Sequence, residues 1–195
     1  MSNMGDLDQT AKINQFLKDA KAANKVAYFP AGIYLVKGTV NIPTGSRIQG
    51  SSWSQVRDAF QSMQTQRQEL TACDSQQIMA TGDYFGDMNH PKVVAKVGEP
   101  GDVGSMEIVE MLFSTKGPTA GAIMIEWNVR ADKPGSAGMW DTHVRVGGAK
   151  GSDLDFANCP KKSFNEKCFS TSMLLHVTPQ ASGYFENVWT WIADQ

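Results

Sequence analysis

Cysteine is scarce: Cys73, Cys159 and Cys168 are the only three in 195 residues. An odd count leaves one thiol over unless it pairs between chains. None of the three lies in a Cys-x-x-Cys pair, so no zinc site is expected. Charge is sparse and nearly balanced, with 18 basic and 20 acidic residues, which leaves no electrostatic footprint for nucleic acid. No run of about 18 apolar residues occurs, so no membrane-spanning segment is expected. The opening Met1-Ser2-Asn3-Met4-Gly5-Asp6 lacks a basic flank and an apolar core, so no signal peptide is expected. Gly 18 and Pro 8 are too few for a collagen-like or disordered chain. At roughly 150 residues per domain, the length suits one domain or a little more. No metal or other cofactor is called for.

What is present is a change of period. From Asp8 to Ala23, Ala11, Ile13, Phe16, Leu17 and Ala20 recur at helical spacing, with Asp8 placed to cap the start and Asn24 to stop the helix. After that the period is two. Short apolar runs at 26–30, 33–36, 39–42, 46–48, 91–97, 106–114, 121–129, 142–146, 172–178 and 183–192 are punctuated by glycine and proline. No helical run separates them, which argues against alternating βαβ units. Many short strands with glycine turns suit either a sandwich or barrel, or a β-solenoid.

Residues 56–77 do not match their surroundings. They contain no Gly or Pro, six Gln, and a local preference for helix between flanks that read as turn and strand. One reading is a surface helix inserted in a loop. Another is a retained intron read through in frame: Val56 has a codon beginning GT, Gln77 can be encoded CAG, and twenty-two codons make 66 nucleotides. Removing the segment also removes Cys73. Cys159 and Cys168 would then remain, flanking a short polar loop that a disulfide can close in an oxidising compartment.

The stretches Lys25–Val36 and Ile42–Gly50 resemble the opening turn of the pectate-lyase-like β-helix superfamily. Six more narrow the resemblance: Trp53-Ser54-Gln55 read on to Ile78–Asn89; Val97-Gly98-Glu99-Pro100-Gly101; Leu112–Pro118; Gly121–Val129; Met139–Gly148; and Ser182–Trp189. Together they are similar to fungal exo-β-1,3-glucanases of glycoside hydrolase family 55. The resemblance covers nearly the whole chain except 56–77.

That resemblance implies an all-β fold, a single-stranded right-handed parallel β-helix of the pectin-lyase-like type with a short N-terminal helix. It implies that residues 1–195 are an incomplete β-helix domain, similar to the start of the second of two β-helices, with the missing first one as intramolecular partner. It also implies inverting hydrolysis of β-1,3-glucan and extracellular location. The family's entry motif is reduced here to Gly5-Asp6-Leu7-Asp8-Gln9-Thr10, and its catalytic acid, in a Gln-Thr-Glu-x-Pro-Tyr context, has no counterpart in the sequence. The expectation is a fragment inactive on its own, with no catalytic residue to assign. The alternatives are a non-catalytic carbohydrate-binding β-helix module and, less favoured for want of an acidic calcium cluster, a polysaccharide lyase.

Inversion needs two carboxyl groups roughly 6.5–9.5 Å apart. Asp141, His143 and Arg145 alternate, so one strand would put all three on a polar face able to line a saccharide groove, with Trp140, Thr142, Val144 and Val146 opposite. The same pattern also describes an ordinary solvated face. Asp153 and Asp155 would share a face by the same rule. Glu126 and Glu186 sit inside apolar runs and must face out or be paired; either would suit sugar hydroxyls. Trp127, Trp140, Trp189 and Trp191 suit either stacking on sugar rings or core packing. His90 and His176 have no acidic or cysteine partners at metal-ligand spacing and read as structural. Sequencing the transcript between the codons for Gln55 and Ile78 tests the intron: the expected message lacks the 66 nucleotides, and a message retaining them contradicts it.

Overall fold

In a computed structural model, residues 1–51, 76–148, 151–161 and 164–193 are described. Most of the atypical segment, 56–75 with Cys73, therefore lies outside the described residues. Its last two residues do not: Gln76 and Gln77 open a strand.

The helix α1 runs Thr10–Ala22, shorter than the 8–23 read from periodicity, with Gln9 as its N-cap residue. Asp8 stands one residue further out. Its carboxylate accepts from the Thr10 amide at 2.9 Å and from the Lys37 amide at 3.2 Å, tying the helix start to the chain that follows. Burial alone would raise the Asp8 carboxyl, but bonds from Thr10 and Lys37 outweigh it and hold it below the ordinary value. Asn24, at φ +52°, turns the chain out of the helix. Ile13 and Leu17 face inward, and Phe16 meets Phe29 edge-on at 5.5 Å.

The strands form three parallel sheets. The first joins β1 (Val26–Tyr28), β4 (Arg47–Gln49), β8 (Met106–Val109), β12 (Ala137–Trp140) and β15 (Tyr184–Glu186) in that order. The second joins β2 (Gly32–Val36), β5 (Gln76–Thr81), β9 (Leu112–Lys116), β13 (His143–Val146) and β16 (Trp189–Ile192). The third joins β3 (Val40–Ile42), β6 (Lys92–Val97), β10 (Ala122–Trp127) and β14 (Met173–Val177). A small pair, β7 (Val103–Gly104) and β11 (Arg130–Ala131), lies between the third sheet and the next entry to the first. The chain thus visits the sheets in one repeating order, and each pass pairs with the one before it. Among the described residues the fold is all-β apart from α1 and two short 3-10 turns.

Alternation turns every second side chain inward. Because the passes are in register, inward residues stack in columns: Tyr34, Ile78, Phe113 and Val144 in the second sheet, Ile42, Val97 and Trp127 in the third. All of these are buried in one core. The starting edge is covered. α1 lies against β1 and β3, and the Asn3–Gly5 backbone bonds Ile33 at the edge of β2. Gly32, at φ +139°, admits that approach; a Cβ there would sit 2.5 Å from the Asn3 carbonyl oxygen.

Several sequence expectations change. The runs 106–114 and 183–192 are each two strands of different sheets, broken at Glu110 and Asn187. These residues and Asp141 all hold φ near +50° at the same bend between the first and second sheets. Ala137–Trp140 was not expected as a strand, since Gly138 dilutes its pattern. Cys159 and Cys168 are joined in a disulfide with Cα atoms 5.8 Å apart. Phe113→Ala is expected to cost about 3–5 kcal/mol, as a large core ring lost from a stacked column. Phe164→Ala, on a side chain 80% exposed, is expected to cost under about 0.5 kcal/mol. Urea unfolding measures both, and equal losses would contradict the inward columns.

Candidate carbohydrate-binding face

The sequence candidates divide between separate faces. Trp127 is a correction. It is fully buried in the third sheet's inward column, donates its indole N–H to the Ser182 carbonyl at 3.1 Å and meets Phe185 edge-on. Strand alternation puts it inside, so it cannot touch a ligand. Glu126, its neighbour, faces outward on the same strand. Its carboxylate accepts from Asn128 at 3.0 Å and lies 3.5 Å from His176 Nδ1. The third sheet therefore holds Glu126 apart from the other candidates. His176 thus has a carboxylate neighbour, as does His90, whose Nδ1 is 2.7 Å from Asp87; each is a single pair.

Asp141, His143 and Arg145 do not share a strand face. Asp141 occupies the bend before β13, where its side chain accepts a hydrogen bond from Asn187 Nδ2 of the next pass. Trp140 belongs to the first sheet, where its neighbour Met139 takes the inward position; it is half-buried against Tyr184 rather than aligned with Thr142 and Val144. Asp153 and Asp155 also share no strand: Asp153 reaches Lys116 at 3.8 Å, and Asp155 binds the Ala157 and Asn158 amides.

His143 and Arg145 do face outward together from β13. Register sets them beside Trp189 and Trp191 of β16, which the alternation of that strand also sends outward. The Arg145 guanidinium lies 5.5 Å from the Trp191 ring centre, and the His143 and Trp189 rings are 5.7 Å apart. Trp189 and Trp191 are separated by 6.3 Å and are 57% and 43% exposed. On the second sheet's outer face, Gln77, Met79, Leu112 and Ser114 are buried. Around the bend, the first sheet adds Trp140, Tyr184 and Glu186. Tyr184 donates its hydroxyl to Glu186 at 2.8 Å, which raises its own pKa.

The result is a belt of four aromatic rings, one guanidinium, one imidazole and bend carboxamide and carboxylate groups. Such a surface can stack on sugar rings and bond their hydroxyls. Its acidic side chains are committed, Asp141 to Asn187 and Glu186 to Tyr184. Sequence reasoning leaves Trp189 and Trp191 open between sugar stacking and core packing, and does not single out Tyr184. The Trp-x-Trp alternation was the available signal for a shared face, but register with His143 and Arg145 was not visible.

Burial lowers the His143 imidazole below its ordinary value of 6.5, against the opposing pull of Asp141. Its Nδ1 has no hydrogen-bond partner among the described residues. Burial also lowers the Arg145 guanidinium. With a folded His143 value below the unfolded one, the unfolded state binds more protons between the two. His143 therefore costs stability as pH falls from 6.5 through its folded value, and is neutral to stability above. A proton NMR titration of His143 is expected to give a midpoint below 6.5, and a midpoint at or above it would contradict the burial of the ring.

Residues 1–99 match the family model described as "Rhamnogalacturonase A/epimerase, pectate lyase-like". Among curated relatives, the chain is 43% identical over 182 residues to "Non-secreted LysM effector LysM19" of Penicillium expansum, covering 92% of this chain and 13% of that protein. It is 37% identical over 195 residues to "Probable glucan endo-1,3-beta-glucosidase" of Arthroderma benhamiae, covering 97% of this chain and 20% of that protein. It is 36% identical over 193 residues to "Glucan 1,3-beta-glucosidase" of Cochliobolus carbonum, covering 97% and 21%. The chain thus spans 13% to 21% of the length of these relatives. Parallel sheets visited in repeating order, the family match and these relatives agree: the chain belongs to the pectate lyase-like family of the rhamnogalacturonase A/epimerase type.

Proposed function

We propose that the chain is a stretch of single-stranded, right-handed parallel β-helix from a carbohydrate-active protein, and that it binds β-1,3-glucan on the outward belt of its last two passes without hydrolysing it alone. The repeating sheet order supports the helical path, and the usual hand of parallel crossovers supports its handedness. Relatives named as glucan 1,3-β-glucosidases support the polysaccharide. The observation that carries the binding reading is the outward row of Trp189 and Trp191 set against His143 and Arg145.

In this reading Trp189 and Trp191 take the apolar faces of successive sugar rings, and Arg145, Asp141 and Glu186 bond hydroxyls at the margins. Glu126 belongs to another sheet and contributes nothing there. Binding without cleavage fits the committed acidic groups. A glycosidase fragment of this kind would depend on a further β-helix in the longer protein for its cleft and its catalytic acid. The segment 56–77 is then an insertion, as a retained intron would be. An oxidising, extracellular setting suits the Cys159–Cys168 bridge.

The second reading is a binding module with no catalytic descent to complete. The 43% identity to a protein named as an effector favours it. Calorimetry with laminarin, together with reducing-sugar release, tests the proposal. Saturable binding with no sugar release is expected, weakened about tenfold or more in Trp191→Ala, since stacking on one ring is worth about 1–3 kcal/mol by analogy with base stacking. No binding, or binding unchanged in both Trp189→Ala and Trp191→Ala, would overturn it.

A further inference from the structure

A groove of mixed lining, lysines and polar groups beside Ile42, Pro43 and Val103, lies at the opposite end of the molecule from the aromatic belt, where α1 runs along β3. Its volume is about 540 Å3, in the range of small-ligand sites. Three elements build its walls: α1 with Lys18 and Lys21, β3 and its exit with Asn41 and Thr44, and β6 and its exit with Lys96 and Asp102.

Beside this groove the helix is bonded to the strand by Asn14, in addition to the Asp8 and Thr10 bonds at its start and the inward packing of Ile13 and Leu17. Asn14 donates to the Thr39 carbonyl at 3.0 Å and accepts from the Asn41 amide at 2.7 Å. Lys18 and Lys21 follow Asn14 by one and two turns, so the three share a stripe beside β3.

The charges in the groove are unevenly satisfied. Asp102 accepts from the Glu99 amide at 2.9 Å and from the Thr44 hydroxyl; with Lys21 and Lys96 nearby, these bonds hold its carboxyl below the ordinary value. Glu99 is paired with Lys96. Both carboxylates therefore have partners. The ammonium groups of Lys18 and Lys21 close no ion pair or hydrogen bond among the described residues, although both line the groove. Two like charges one turn apart on a helix repel, and an anion between them removes that cost.

We propose that this groove binds an anionic sugar, a carbohydrate bearing a carboxylate or phosphate group. Lys18 and Lys21 take the anion. Asn41, Thr44 and the remaining lone pairs of Asp102 take hydroxyls. The lining contains no aromatic ring, which leaves nothing to stack on a nucleobase. Its amide, hydroxyl and carboxylate groups match the hydroxyls of a sugar, and Ile42, Pro43 and Val103 match its C–H faces. The site is separate from the aromatic belt and does not rest on the glucan reading.

Calorimetric titration of the full chain with digalacturonate, glucose 6-phosphate, inorganic sulfate and neutral laminaribiose tests this. At least one anionic sugar is expected to bind saturably, more tightly than inorganic sulfate, and which one binds identifies the anion. The double variant Lys18→Gln with Lys21→Gln is expected to bind it about tenfold more weakly or worse. Lys12→Gln, a charge lost elsewhere on α1, is expected to leave binding unchanged. Glutamine keeps helix propensity close to lysine, and circular dichroism checks that the variants fold. Binding of neither anionic sugar, binding no tighter than sulfate, or equal weakening by Lys12→Gln would overturn the proposal.

Discussion

Parallel, in-register pairing between successive passes is the constraint on which everything else depends. Each strand bonds the equivalent strand one pass earlier, so a residue's height and direction are inherited from its predecessor. The core follows directly. Phe113 is inward because Ile78 and Tyr34 are inward beneath it. The bends follow as well. Glu110, Asp141 and Asn187 take the same left-handed conformation because each must turn the chain at the same point. A left-handed position usually favours glycine, and short polar side chains tolerate it best. Here two of the three bend side chains also bond each other, Asn187 donating to Asp141, so the strained position serves the stacking of passes.

The same inheritance assembles the outward belt. His143 and Arg145 gain aromatic neighbours only because β16 lies beside β13 with no offset. Trp140 and Tyr184 meet on the first sheet in the same way, across Gly138, whose missing side chain leaves room for the Trp140 ring. A one-residue slip would send Trp189 and Trp191 inward and Thr190 outward. The surface is thus as well specified as the core, and by the same hydrogen bonds. The lysine groove at the other end has a different origin. It is made where α1 meets β3, with Asn14 bonding the strand beside the two lysines.

Much of the fold was legible. Spacing of Ile13, Phe16 and Leu17 located the helix, and glycine punctuation located most strands. Three features were hidden for physical reasons. The bends at Glu110 and Asn187 carry no glycine or proline, so one apolar run concealed two strands of different sheets. Gly138 weakened the signal of β12, although its close approach to the Tyr184 backbone is what that position requires. The polar alternation of Asp141, His143 and Arg145 suggested one face, but the bend removed Asp141 from the strand. For the site, parity alone separated Glu126 from Trp127 once strand direction was known, and burial excluded the tryptophan. What no reading along the chain could supply was which strands become neighbours, and the belt exists only between neighbours.

The central claim is that glucan lies along the outward belt of the last two passes. A crystal structure of the chain soaked with laminarihexaose tests it most directly. The account predicts sugar rings stacked on Trp189 and Trp191, with hydroxyls bonded at Arg145 or the Asp141–Asn187 bend. Sugar bound on another face, with the two tryptophans bare, would contradict it.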